Sequence, residues 1–331
     1  MLKLDDLWYG RSPLIWPLLP LTGLYCAVAV ARRAAYRWGI AKTQRLDVPV
    51  IVVGNLTVGG TGKTPLVGWL ARFLMQQGYR PGLVARGYGG KARHWPQQVR
   101  PDSDPAAVGD EPVLLAQTTG CPMAVAPDRV AAARALLAHS DCDLILSDDG
   151  LQHYALGRDI EIAVVDGVRR LGNRFCLPAG PLREPAGRLE RVDMVVSNGL
   201  AGRNEYGMQV QAGDAVNLLT GERRPLRSFR DEPVHAMAGI GRPERFFDDL
   251  RREGLSIDAH AFPDHHAFRA EDLAFADRTL LMTEKDAVKC RRFARADFWA
   301  VGSRVEVNQR FGERIMALLQ ARRNHSAASR R

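Results

Sequence analysis

The chain is poor in cysteine and aromatics, and over one long stretch it carries no charge at all. Its five cysteines, Cys26, Cys121, Cys142, Cys176 and Cys290, form no C-x-x-C pair and leave an odd count. That argues against a disulfide framework and against a zinc site, and it fits a reducing compartment. Aromatic residues are only 7% of the total and do not alternate with basic ones, as they do in proteins that grip single-stranded nucleic acid. The net charge of +9 therefore calls for a phosphorylated small molecule or an anionic lipid as partner, and not for nucleic acid. No internal repeat is present, and no segment marks an obligate protein partner. With 331 residues the length prior is about two domains, and a hydrophobic content of 46% is enough for their cores.

The uncharged stretch is Ser12–Ala31. It matches the roughly 20 residues that cross a bilayer. Pro13, Pro17 and Pro20 interrupt its first half, so a single straight spanning helix is not expected. Arg32, Arg33, Arg37, Lys42 and Arg45 follow at once. Basic residues beside an apolar segment are drawn to anionic lipid and favour the cytoplasmic side. Asp5 and Asp6 do not suit the basic start of a signal peptide. The expectation is docking on a membrane surface, with a buried helix and a true span as the alternatives.

What is present in strength is a phosphate-binding signature. The apolar run Val48–Gly54 leads into Val58–Thr64, which reads V-G-G-T-G-K-T, and Pro65 then opens a helical pattern. Strand, glycine-rich loop and helix N-terminus in that order cradle an anion with backbone N–H groups. Thr57, Val58, Gly59, Gly60, Thr61 and Gly62 form the cradle. Lys63 can reach the β- and γ-phosphates, and the Thr64 hydroxyl can bind Mg²⁺. Thr57 stands where the usual pattern has its first glycine, so Gly59 and Gly60 are expected to free the turn. A glycine turn without ligand is the plainer reading.

A second apolar strand, Leu144–Leu146, ends in Asp148 and Asp149. Carboxylates at that point suit a Mg²⁺ site facing a P-loop, and either could be the ligand; a simple Asp-Gly turn is the alternative. Gln152 and His153 follow within a turn and could face the same place. In Gly109-Asp-Glu-Pro112, Asp110 is either a helix cap or a carboxylate that takes a proton from an acceptor hydroxyl. Asp264-His265-His266 follows another strand and could supply a His–Asp pair. Arg86, Arg93, Arg129, Arg183 and Arg188 lie in loops, where guanidinium forks suit phosphate oxygens. Thr283–Lys289 has its Lys and Asp in the wrong order for guanine recognition, so ATP is the expected nucleotide.

The alternation of short apolar runs with helical patterns predicts an α/β fold. Its main part is a P-loop NTPase-like parallel sheet, joined to a second, smaller α/β domain and preceded by a membrane-associated helix. The expected divisions are a membrane-associated segment at 1–45, a P-loop domain at 46–203, a linker at 204–230, the smaller domain at 231–322 and a disordered basic tail at 323–331.

Taken together, N-L-T-V-G-G-T-G-K-T-P (Asn55–Pro65), R-G-Y-G (Arg86–Gly89), G-D-E-P (Gly109–Pro112), D-D-G-L-Q-H (Asp148–His153), L-P-A-G-P-L-R-E-P (Leu177–Pro185), D-H-H (Asp264–His266) and T-E-K-D-A-V-K (Thr283–Lys289) resemble the tetraacyldisaccharide 4'-kinase family. The resemblance runs from the apolar segment to the last helix. It implies transfer of the γ-phosphate of ATP, with Mg²⁺, to the 4'-hydroxyl of a tetraacylated glucosamine disaccharide 1-phosphate. The product would be lipid IVA, in lipid A biosynthesis, made at the cytoplasmic face of the bacterial inner membrane by a peripheral or monotopic enzyme. It also implies that Lys63 and Thr64 hold ATP and Mg²⁺ and that Asp148 and Asp149 lie at the metal. Asp110 would be the base, assisted by His265 or its neighbour His266. Arg86, Tyr88, Glu111, Gln152, His153, Arg183 and Glu184 would line the site. Two other readings compete: a P-loop ATPase that switches conformation at a membrane, disfavoured because Val58 replaces the Lys such proteins often carry, and a soluble small-molecule kinase, disfavoured by the apolar segment.

Overall fold

A computed structural model describes residues 4–10 and 12–328. The chain groups into two units, neither continuous in sequence. The first comprises 1–86, 121–209 and 306–331, and the second comprises 87–120 and 210–305.

The first unit is built on parallel strands. β1 (Val50–Gly54) and β2 (Pro81–Ala85) are its first two, while β3 (Gln97–Val99) falls in the 87–120 excursion that groups with the second unit. β4 (Met123–Val125), β5 (Leu144–Asp148), β6 (Ile160–Asp166), β7 (Met194–Asn198) and the start of β8 (Tyr206–Asn217) complete it. The pairings run β8-β7-β6-β1-β5-β2-β4, all parallel. β1 lies in the middle, and the chain leaves it in one direction for β2 and later returns on its other side through β6. Ligands of such sheets gather where the order reverses, beyond the carboxyl ends of the strands. β1 and β5 are level there, with Val53 opposite Asp148. Continuous apolar runs suit strands covered on both faces, and all five residues of β1 are buried.

The segment that was expected to be a disordered tail is largely helix. The last helix runs Gln309–Ala328, six residues into it; residues 329–331 lie outside the described residues. Its anchor is Phe311, fully buried, with ring centroids 5.8 Å from Trp69 and 5.5 Å from Tyr206. These contacts place the helix in the first unit, although it follows the second in sequence. The other departure in grouping has the same origin: 87–120 sits by sequence inside the expected P-loop domain, but its helix Asp110–Thr119 packs against the helix Glu284–Cys290.

The uncharged segment forms a 3₁₀ turn, Pro13–Leu18, running into the helix Leu19–Arg37. Pro13 and Pro20 sit in first turns, where a missing N–H costs nothing, and Pro17 lies inside the 3₁₀ turn, so no proline falls in the body of the α-helix. It is held by polar contacts. The Thr22 hydroxyl donates to the Cys176 carbonyl (3.4 Å) and accepts from the Ala179 amide (3.0 Å), and the Tyr25 hydroxyl donates to the Arg183 carbonyl (3.2 Å). Its apolar side chains point elsewhere: Leu21, Leu24 and Val28 are 57%, 64% and 60% exposed. Among the described residues this is the one helical stretch long and apolar enough to cross a membrane, and it is not a buried core helix.

In the second unit β10 (Val234–Ala238) pairs in parallel with β11 (Ile257–Ala261) and β12 (Leu280–Thr283), and β12 with β13 (Phe298–Val307). The end of β8 pairs antiparallel with the short β9 (Arg223–Arg224), so the expected linker region contains a twelve-residue strand. Residues 270–276, where the sequence pattern suggests a helix, form only the 3₁₀ turn Ala270–Leu273, opened by a capping box in which the Asp272 carboxylate accepts from the Arg269 amide (2.9 Å); the same carboxylate meets His266 (3.0 Å).

Replacing Phe311 with Ala should cost about 3–5 kcal/mol in urea unfolding. A loss below about 1 kcal/mol, the size of an ordinary surface change, would show that the last helix is not anchored there.

Candidate active site

The glycine-rich loop leaves β1 and closes on the helix Lys63–Gln76. Its turn needs left-handed backbone at two places, Gly59 (φ 103°) and Gly62 (φ 96°). At Gly62 a Cβ would also meet the Asn198 amide nitrogen at 2.8 Å, so glycine is required on both counts. Thr57 needs no such freedom. It bridges antiparallel to Leu182, and the neighbouring Val58 amide donates to the Pro181 carbonyl (2.8 Å). The departure from the usual pattern therefore marks the point where the proline-rich loop clamps the phosphate loop. Asn55 donates to Thr61 Oγ1 (3.3 Å) and Asn198 to the Thr61 carbonyl (3.2 Å), which fixes the loop from below.

Asp148 and Asp149, equivalent by sequence, are not equivalent in space. Asp148, the last residue of β5, is buried and accepts a hydrogen bond from the Thr64 hydroxyl (3.2 Å). A hydroxyl and a carboxylate side by side at a phosphate loop are the hard oxygen donors that Mg²⁺ takes, so the residues fit the ion. Asp149 turns the other way, with left-handed backbone (φ 49°). Both its oxygens accept from Arg183 (2.8 and 2.9 Å), and Lys63 stands 3.6 Å away. Burial raises the Asp149 pKa, but Lys63, Arg183 and Arg129 outweigh it and leave the carboxyl below its ordinary value. In the same surroundings burial pulls Arg129 down to about 10.

The proline-rich loop delivers two more residues. The Arg183 amide donates to the Leu56 carbonyl (2.7 Å), setting Arg183 over Asp149 and Glu184 beside Gln152. Gln152 spans the Glu184 carboxylate (3.0 Å) and the Asn55 carbonyl (3.2 Å), and Tyr154 also bonds Glu184. His153 accepts from the Arg129 amide (3.3 Å), and burial, then Arg129, lowers its pKa to about 4. It is a neutral structural acceptor at pH 7. Arg86 is exposed just after β2 and acts on Arg129 through its charge.

The second unit contains a cluster of its own. Gly109 opens the helix Asp110–Thr119. Gly109, not Asp110, is the cap, so the Asp110 carboxylate is not used as one; its Oδ1 accepts from the Glu111 amide (2.9 Å), while Oδ2 faces His265 Nδ1 at 3.1 Å. His266 pairs with Asp272 instead, so His265 is the partner of Asp110. His265 is held in left-handed backbone (φ 59°), and its ring meets Tyr88 at 5.2 Å. A non-glycine residue kept in that region marks a position the surroundings over-determine. Lys285 lies 3.0 Å from Glu111, 3.3 Å from Asp264 and 4.0 Å from Asp110, and Lys289 lies 3.9 Å from Asp110. Burial raises the Asp110 pKa, but the His265 bond and the two lysines lower it further. The bond to Asp110 raises His265.

Lys285, Lys289, Asn55 and Asn198 are residues of these clusters that the sequence alone does not single out, whereas Arg129 and Asp264 are singled out by it. Lys285 and Lys289 had a signal: they are four apart in a short helix, hence on one face. The asparagines had none.

The pairing of Asp110 with His265 gives the site a pH window. The contribution from His265 is complete below 6.5, its unfolded value, and is lost as pH rises through the raised folded value. The contribution from Asp110 is present above 3.8 and is lost as pH falls through the depressed one. Titration of His265 by NMR should give a pKa above 6.5 that falls in Asp110→Asn. An unchanged pKa in that variant would dismiss the pair.

A family model described as tetraacyldisaccharide-1-P 4'-kinase matches residues 14–320. A relative from Nitrosococcus oceani named tetraacyldisaccharide 4'-kinase is 60% identical over 314 residues, covering 95% of this chain and 93% of that protein. One of the same name from Alkalilimnicola ehrlichii is 51% identical, with both chains covered in full. A solved structure of LpxK from Aquifex aeolicus, in complex with ATP, superposes with a TM-score of 0.79 at 28% identity, covering 92% of this chain and 99% of that one.

Proposed function

The chain belongs to the tetraacyldisaccharide-1-P 4'-kinase family, and from that we propose that it moves the γ-phosphate of ATP to the 4'-hydroxyl of a tetraacylated disaccharide 1-phosphate. The observation that carries the reading is the Lys63-Thr64 pair beside Asp148 at the level ends of β1 and β5. A solved relative holds ATP.

The backbone amides of Gly59–Lys63 cradle the triphosphate, and Lys63 exchanges Asp149 for phosphate oxygens. Thr64 and Asp148 would hold Mg²⁺, which neutralises charge on the phosphates when bound. Asp149 acts by positioning Arg183 and Lys63. Asp110 orients the acceptor hydroxyl and takes its proton through Oδ2. Lys285, Lys289 and His265 keep that carboxylate ionised and ready to accept. A phosphoryl group in transfer needs little covalent help, so alignment, charge neutralisation and exclusion of water do most of the work.

The membrane reading is of the same kind. Trp16 on the 3₁₀ turn and Leu21, Leu24 and Val28 on the helix that follows it expose apolar surface. Near the end of that helix, a cavity of about 580 Å³ is lined by Arg33, Arg37, Arg45, Arg158, Arg188 and Arg191, among others. Apolar side chains with arginines behind them suit the cytoplasmic face of a bilayer with anionic headgroups. The inner membrane that holds the lipid substrate is the fitting surface.

Labelled ATP incubated with the disaccharide 1-phosphate should yield a bis-phosphorylated lipid. Lys63→Ala should abolish transfer, and Asp110→Ala should cut kcat by about two to four orders of magnitude with ATP affinity retained. Near-normal turnover in Lys63→Ala, or ATP hydrolysis indifferent to the lipid, would refute the kinase reading. Deleting residues 1–31 should release the protein from vesicles rich in anionic lipid, and continued binding would place the anchor elsewhere.

A further inference from the structure

A third constellation in the second unit shares no residue with the Asp110 cluster. His235 lies on β10 and is buried. Asp258 and His260, two apart on β11, point to the same face of the sheet, and His235 stands in register with Asp258. His235 Nδ1 is 3.1 Å from His260 Nε2 and 3.9 Å from Asp258 Oδ2. One donor atom from each of the three lies within 4.8 Å of the others.

What surrounds these donors distinguishes them from a chance surface cluster. His235 Nε2 bonds the Asp277 carboxylate at 2.9 Å, which places the proton on Nε2 and leaves the Nδ1 lone pair facing His260 and Asp258. A carboxylate behind a histidine, fixing its tautomer and ring, is the usual support of a metal-bound imidazole. Phe275 stacks on His260 at 3.7 Å and meets His235 edge-on at 5.3 Å, so neither ring is free to turn.

We propose that His235 Nδ1, His260 Nε2 and Asp258 bind a divalent transition metal of the zinc type, with Asp277 positioning His235. Two imidazoles at about 2.0–2.1 Å from a tetrahedral ion stand about 3.3 Å apart, close to the 3.1 Å they keep here. Binding replaces the proton between the two rings by the ion, and that proton passes to His260 Nδ1. Asp258 Oδ2, the oxygen that faces His235, also accepts from the Arg278 guanidinium at 3.0 Å, and a carboxylate oxygen has a second lone pair for the metal. Asp258 is 64% exposed, which leaves the ion a path from solvent. Two nitrogen donors select zinc-like ions over Mg²⁺, so the site is chemically separate from the Thr64–Asp148 pair. The ion would pin the edge strand β11 to β10 and to the segment bearing Asp277.

The full-length protein, kept in large excess Mg²⁺ to saturate oxygen-donor sites, should be titrated with Co²⁺ and followed by visible absorption. One equivalent should develop a d–d band that Zn²⁺ abolishes, and Zn²⁺ should raise the melting temperature. His260→Ala and Asp258→Asn should each weaken binding roughly a hundredfold, and Asp277→Asn about 10–100-fold. His235 is buried and is left intact so that every variant folds. Absence of the band, or equal affinity in wild type and His260→Ala, would show that the cluster is only a hydrogen-bonded relay.

Discussion

The geometry of the first unit depends on one balance of charge, the carboxylates that end β5 against the cations brought to them. Asp149 meets Lys63 from the phosphate loop, Arg183 from the proline-rich loop and Arg129 from the helix Arg129–His139. Lys63 and Arg183 hold its carboxylate and Arg129 donates to its main-chain carbonyl (3.3 Å), so three separate pieces of chain converge on this residue. Because it is held, its neighbour Asp148 is free to face Thr64. A charged group in such a place is costly unless paired and hydrogen-bonded, so the cluster fixes the loop geometry as well as storing cations for a phosphate.

A second consequence concerns the proline-rich loop. It joins the phosphate loop through Thr57 and Val58, the acidic pair through Arg183, and the N-terminal helix through Cys176, Ala179 and Arg183. Thr22 and Tyr25 hold the apolar helix by hydroxyls and spare its hydrophobic surface. A helix attached in this way keeps its apolar side for another medium and still meets the machinery that holds phosphate.

Much of this was legible in the residues. Val48–Thr64 announces strand, loop and helix because each step has strict chemistry: buried β-branched residues, glycines at positive φ, and a proline in the first helical turn. The acidic pair was legible as a pair, but the split of roles was not. It depends on the left-handed backbone of Asp149 and on an arginine 34 positions away. The choice of His265 over His266 likewise rests on a turn that aims adjacent side chains apart. The grouping of 87–120 with the second unit, and of the last helix with the first, could not be read from order along the chain, because packing decides it. The tail looked unstructured by composition, yet helix continues into it once Phe311 has fixed the start.

The most direct measurement is the Mg²⁺ dependence of ATP affinity in the wild-type chain and in Asp148→Asn. If Thr64 and Asp148 share the ion beside the triphosphate, Mg²⁺ should tighten ATP binding in the wild type. In the variant that tightening should vanish while metal-free affinity is kept. Equal Mg²⁺ dependence in the two proteins would contradict the account.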